Sequence, residues 1–158
     1  MNFHFKDNQE KNLILNRFVN KGLFMFGLGL FAGEGTKVPL TTGPNFVEFI
    51  NSDPIFINSF LLFLEDLGFK REQCRFRVQL SCSQDELEKM IKSSTNFWRK
   101  RTRIHLKNFT KPNIRIRENS KQRSKHGCLC IRLLCKPLWR LLVYWIKNSN
   151  TLISERKI

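Results

Sequence analysis

Residues 73–82 alternate without a break. Cys74, Phe76, Val78, Leu80 and Cys82 interleave with Gln73, Arg75, Arg77, Gln79 and Ser81. A period of two is the pattern of a half-buried β-strand, so the apolar set enters the core and the polar set faces outward. That outward set holds two Arg and two Gln and no acid. Arg and Gln carry the paired donors and acceptors that match guanine and adenine edges in the major groove of DNA. A plain solvated sheet face is the competing reading.

The rest of the chain supplies partners for this strand. Residues 11–33 read as a helix, interrupted near Gly22, that ends in an apolar run. That run, residues 22–33, is too short for the roughly 20 residues of a membrane-spanning helix. Residues 37–42 and 45–51 read as two short strands around the Gly43-Pro44 turn. Asp53-Pro54 starts a helix, with Asp as N-cap and Pro at the first position, and Gly68 stops it after Leu67. Its Ile57, Phe60, Leu61, Leu64 and Leu67 form one apolar stripe. Ser83 and Glu86 have capping-box spacing, which predicts a helix to about Trp98. Residues 113–118 and 127–135 then read as two strands joined by a basic hairpin over 119–126, before Pro137 opens a last helix. The apolar face of that helix is Leu138, Leu141, Leu142, Trp145 and Ile146. The fold class is α+β, with one domain over residues 11–147 and tails at 1–10 and 148–158. At 158 residues and 41% hydrophobic content, the chain can build one packed core.

Charge narrows the function. The formal net charge is +15, which points to a polyanionic partner. Residues 1–68 hold 5 Lys/Arg and 7 Asp/Glu, whereas residues 99–126 hold 11 Lys/Arg against the single acid Glu118. The partner is therefore met by the middle and later part of the chain, with Arg115, Arg117, Lys121, Arg123 and Arg132 as candidate contacts beside Lys37, Gln73, Arg75, Arg77, Gln79 and Ser81. Five Cys, an odd number, fit reduced thiols in an intracellular protein better than a disulfide framework. Cys128 and Cys130 lack the C-x2-C spacing of a zinc site.

The segment Gly27-Leu28-Gly29-Leu30-Phe31-Ala32-Gly33-Glu34-Gly35 is similar to the motif of LAGLIDADG homing endonucleases. Gly29 and Leu30 fall at the motif's third and fourth positions, Glu34 at its eighth and Gly35 at its ninth. The continuation Glu34-Gly35-Thr36-Lys37, the stretch Asn51-Ser52-Asp53-Pro54, and Phe97-Trp98 resemble a single-motif bacterial and archaeal branch of that family. The chain departs from the pattern at the sixth position, where Ala32 stands and Asp is common. The resemblance implies an α-β-β-α-β-α-β-β-α fold with a curved antiparallel DNA-binding sheet. It also implies a homodimer whose paired helices meet at Gly29, Ala32 and Gly33, small residues that let two backbones approach closely. Glu34 and the Gly35 carbonyl from each copy would then hold Mg2+ for phosphodiester hydrolysis. Asn51 is the candidate for the polar residue that positions water, and Lys125 or Lys121 for the lysine.

Three functions follow as expectations: a Mg2+-dependent, site-specific endonuclease acting on double-stranded DNA; a non-cleaving DNA-binding regulator or RNA-binding splicing helper on the same scaffold; and, from another class, a protein that coats anionic membranes through its last helix. The leading expectation has double-stranded DNA as the partner, with neither a membrane nor a small-molecule substrate.

Overall fold

The computed structural model describes residues 20–36, 43–116 and 124–148 in full and the backbone of 3–6 and 12–15. The expected strand at 37–42, most of the 119–126 linker and the tail after Asn148 lie outside the described residues. The fold is α+β, with four helices and a four-stranded mixed sheet among the described residues.

The N-terminal region differs from the sequence expectation. Strands β1 (Phe3–Lys6) and β2 (Asn12–Leu15) pair antiparallel, with Phe3 opposite Leu15, where a frayed tail and the start of a helix were expected. Helix α1 begins at Lys21 and ends at Glu34. Its start is fixed by Asn20, whose side-chain oxygen accepts the Leu23 N–H at 3.1 Å while its own N–H donates to Asp66 at 2.8 Å. An N-cap that satisfies an orphan donor is a stronger start signal than the apolar residues upstream of it.

Strand β3 (Val47–Asn51) and helix α2 (Pro54–Asp66) follow the sequence reading closely. Asp53 accepts the Ile55 N–H at 2.7 Å, and Ile57, Phe60, Leu61, Leu64 and Leu67 are all buried. Gly68 takes a φ of +96° that suits glycine, and the helix stops there. α1 and α2 pack antiparallel at close range. A Cβ on Gly27 would stand 2.2 Å from the Phe63 ring.

Strand β4 spans Cys74–Cys82 and β6 spans Cys128–Leu133; between them come helix α3 (Leu87–Thr102) and strand β5 (Asn113–Ile116). α3 starts three residues and ends four residues later than expected. The Ser83 hydroxyl bonds the Glu86 carboxylate at 3.3 Å, not a backbone N–H, so the turn at residues 84–86 stays outside the helix. No glycine or proline stops the helix at Trp98, so it runs on until Arg103 adopts a left-handed φ of 57°.

The sheet order is β3-β6-β4-β5. β6 pairs antiparallel with β3 and with β4, whereas β4 and β5 are parallel. Two expectations are thereby corrected: the sheet is mixed, not wholly antiparallel, and β5 and β6 are not hairpin partners, because β4 lies between them. The reason is α3, a crossover long enough to return the chain along β4 in the same direction. Helix α4 (Lys136–Lys147) closes the fold, with Leu138, Leu141, Leu142 and Trp145 buried and Ile146 packed partly against the core.

Helices cover one face of the sheet. Phe76, Val78 and Leu80 of β4, Leu129, Ile131 and Leu133 of β6, and Val47 and Phe49 of β3 meet Phe31, Phe60, Trp98 and Trp139 in one core cluster. Two glycine substitutions on α1 should separate packing from helix propensity. Gly27→Ala forces Phe63 to move and should lower the unfolding free energy by about 1–3 kcal/mol. At exposed Gly29 a Cβ meets nothing within 4 Å, and Gly29→Ala should raise the stability of the single chain by up to about 1 kcal/mol. Urea denaturation at low protein concentration reads both.

Candidate nucleic-acid interface

The parity that buries Phe76 and Val78 turns the alternate residues of β4 to the opposite face, and the register brings matching residues from the other strands beside them. Arg132 of β6 lies between Glu48 of β3 and Arg75 of β4. Cys130 lies between Ile50 and Arg77. Gln79 pairs with Cys128 on one side and Asn113 on the other, and Ser81 pairs with Arg115. Of the expected contacts, Arg75, Arg77, Gln79, Ser81, Arg115 and Arg132 thus share the outer sheet face. Arg75 and Arg115 are exposed, whereas the Ser81 hydroxyl is buried with no hydrogen-bond partner among the described residues.

Gln73 is not among them. It sits in the short turn Arg71–Gln73 before β4, where its side-chain oxygen accepts the Lys70 N–H at 2.7 Å. Lys37, Arg117, Lys121 and Arg123 lie outside the described residues.

The outer face also carries an acid that the sequence reading did not place there. Glu48 is 9% exposed and accepts Arg132 Nε at 2.8 Å, with Arg77 at 4.0 Å and the Cys130 thiol at 3.2 Å. Its other carboxylate oxygen accepts the Thr36 hydroxyl at 3.4 Å. Arg132 also lies over the Phe46 ring, 4.1 Å from its centroid, so this guanidinium is held in place by both a charge and a π face. The signal was available in the alternation of Val47, Glu48 and Phe49, but only the strand order reveals that Glu48 meets Arg132 and Arg77.

Among the described residues, Arg115 is the part of the 99–126 charge that lies on this face. α3 buries Ser94, Trp98 and Thr102, and it exposes Arg99, Lys100, Arg101 and Arg103 on the helix side of the molecule. Cations in the last turn of a helix suit its dipole, which is a structural reason for them to be there.

Glu34 ends α1 and is exposed. The chain then turns extended at Gly35, which bridges Phe49, while Thr36 donates its N–H to Glu48 at 3.1 Å and accepts the Trp139 indole N–H at 2.9 Å. α1 is therefore anchored at the sheet, and Glu34 lies near the start of β6. Burial raises the Cys128 thiol pKa, and the nearby Glu34 charge adds to that rise. Asn51 pairs with Leu129 at the same end, on the parity of the core face, and its side-chain oxygen accepts the Asp53 N–H at 2.8 Å. Lys125 is exposed in the loop just before β6. Glu34, Asn51 and Lys125 thus belong to one end of the sheet, with Asn51's side chain engaged in a local turn. Along α1, Gly29 and Gly33 are exposed and Ala32 is half-buried, beside Met25 and Phe26, each 47% exposed.

Carboxylate and carbonyl oxygens, as offered by Glu34 and Gly35, suit a hard divalent cation such as Mg2+. Among the described residues no group of three or more His, Cys, Asp and Glu is placed to hold a metal. No described helix is long and apolar enough to cross a membrane. No family model, curated protein or solved structure matches this chain.

Cys74 and Cys130 have their pKa pushed up to about 12, by burial first and then by the Glu65 and Glu48 carboxylates respectively. The thiolate is the reactive form, so at pH 8 only about one in ten thousand of each is ionised. Alkylation of the folded protein should leave both untouched by mass spectrometry, and early labelling of Cys130 would show that Glu48 and the arginines do not close over it. Because both pKa values lie above the unfolded value of 9.0, their contribution to stability is complete below pH 9 and is lost as pH rises towards 12.

Proposed function

We propose that this chain is a site-specific double-stranded DNA-binding protein of the LAGLIDADG homing endonuclease type. It acts as a homodimer paired along α1, and Glu34 with Mg2+ hydrolyses the phosphodiester bond. The observation that carries the reading is the outer sheet face, where Arg75, Arg77, Gln79, Arg115 and Arg132 come together from three strands. A twisted sheet face of arginines and amides fits the major groove, where such side chains discriminate base pairs. Dimerisation is supported by α1, which shows Met25, Phe26 and Gly29 to solvent on a helix whose other side is packed. An exposed mid-helix glycine costs helix propensity, and close approach of a second backbone supplies a reason for it. The dimer brings two Glu34 carboxylates together, and a divalent cation relieves their repulsion.

A second reading keeps DNA or RNA binding and drops hydrolysis. It is favoured by Asn51, whose side-chain oxygen already serves the Asp53 N–H, and by Ala32 at a motif position where an acid is common.

Incubation with a randomised duplex library and Mg2+, followed by sequencing, should yield cut products with a near-palindromic preference. Glu34→Gln should abolish cutting with binding retained, and Gly29→Leu should shift the chain to monomer in analytical ultracentrifugation and weaken duplex binding. Arg115→Ala should relax discrimination at one base position by about 1–3 kcal/mol. Binding without any cutting under these conditions would sink the endonuclease claim and leave the second reading, whereas equal affinity for unrelated polyanions would sink both.

A further inference from the structure

Where β3, β6 and β4 run side by side, cations on the outer face outnumber anions. Arg75 and Arg132 are directly opposite in the β4–β6 register, an arrangement that destabilises a sheet unless negative charge lies close by. Arg77 follows two residues along on the same face, and one carboxylate, Glu48, serves both it and Arg132. Three guanidiniums and one carboxylate leave a net +2, counting three positive charges less one negative. Arg77 Nε is buried and has no hydrogen-bond partner among the described residues, an uncommon state for a buried donor. The same arginines, with Thr110, Cys130 and Leu134, line a pocket of about 230 Å3. That is space enough for several water molecules.

We propose that this pocket seats a single phosphate group in its dianionic form. Guanidinium groups present paired N–H donors that match the oxygens of a phosphate, and a cluster of them compensates for the loss of its hydration. A charge of +2 favours a phosphate monoester or orthophosphate over the monoanionic diester of an internal backbone position. Thr110 already donates its hydroxyl hydrogen to the Phe76 carbonyl at 3.2 Å, so the arginines are the donors available to the ligand. The site is distinct from the Glu34 end of the sheet. Arg132 stands four residues beyond Cys128, about 13 Å along β6. The proposal rests on the nucleic-acid reading only for one of its two sources of phosphate, a strand end; the other is free orthophosphate.

Calorimetric titration of the full chain at pH 8 with sodium phosphate, against sodium acetate at equal ionic strength, tests the pocket. Phosphate should bind saturably at one site and acetate should not. Arg75→Gln, an exposed position whose loss leaves the core intact, should weaken phosphate binding by about tenfold or more. Lys107→Gln, exposed and outside the pocket lining, should leave it unchanged. Oligonucleotides identical except for a 5′-phosphate or a 5′-hydroxyl separate the sources: a preference of about tenfold for the phosphorylated form, lost in Arg75→Gln, identifies a strand end. Phosphate binding with no such preference supports the pocket and identifies free orthophosphate. No saturable phosphate binding, or binding unaltered in Arg75→Gln, would overturn the proposal. Duplex binding that persists in that case would leave the nucleic-acid reading standing.

Discussion

Strand β4 is held between β6 and β5, and the burial of Phe76, Val78 and Leu80 decides which way every other residue on it faces. A slip of one residue would drive Arg75 and Arg77 into a core lined by Phe and Trp, where an unpaired charge costs many times what the slip could gain. The same constraint reaches the neighbouring strands, because the register fixes Arg132 opposite Arg75 and Arg115 opposite Ser81. Trp98 reinforces it from the helix side. Its indole is fully buried in the core, and its N–H donates to the His126 carbonyl at 2.9 Å, which ties α3 to the loop that feeds β6. His126 in turn stacks on Phe97 with ring centroids 4.0 Å apart. The cationic face is thus a product of core packing, not of the arginines themselves.

The basic residues of the chain are only partly aligned with the outer sheet face. Much of the excess over residues 99–126 is spent at the end of α3 on the helix side, where it complements the helix dipole. Among the described residues the outer sheet face has four arginines and one acid, a small share of the total of 28 Lys and Arg. Its value lies in placement. Glu48 and Phe46 hold Arg132 in one orientation, and a preorganised guanidinium loses less freedom on meeting its ligand than a solvated lysine does.

Much of this was legible in the sequence because the determinants were local. β4 announced itself through alternation, α2 through Asp53-Pro54 and Gly68, and α4 through its apolar face after Pro137. That Arg75 and Arg77 share one face of their strand, and that Arg115 opposes Ile114 and Ile116 on its own, could be anticipated from parity alone. What could not be read depended on partners distant in sequence. The order β6-β4-β5 reflects the α3 crossover, and no residue within 113–133 encodes it. Glu48 looked like an ordinary acid on a short strand until β6 brought Arg132 and Cys130 to it. The N-terminal hairpin was hidden because the apolar run that follows it extends a helical pattern backward, past the Asn20 cap. Asn51 shows the limit from the other side: its type suited a catalytic role, yet its side chain caps the turn into α2.

On the proposed function, the outer sheet face, and not the basic end of α3, meets nucleic acid. Arginine footprinting tests it most directly, by modifying the folded chain with phenylglyoxal, with and without a duplex that it selects from a randomised pool, and locating the adducts by mass spectrometry. Arg75 and Arg115 should lose reactivity when the duplex is added, while Arg99 and Arg103 react as before. Protection of Arg99 and Arg103 with Arg75 and Arg115 unchanged would contradict the claim.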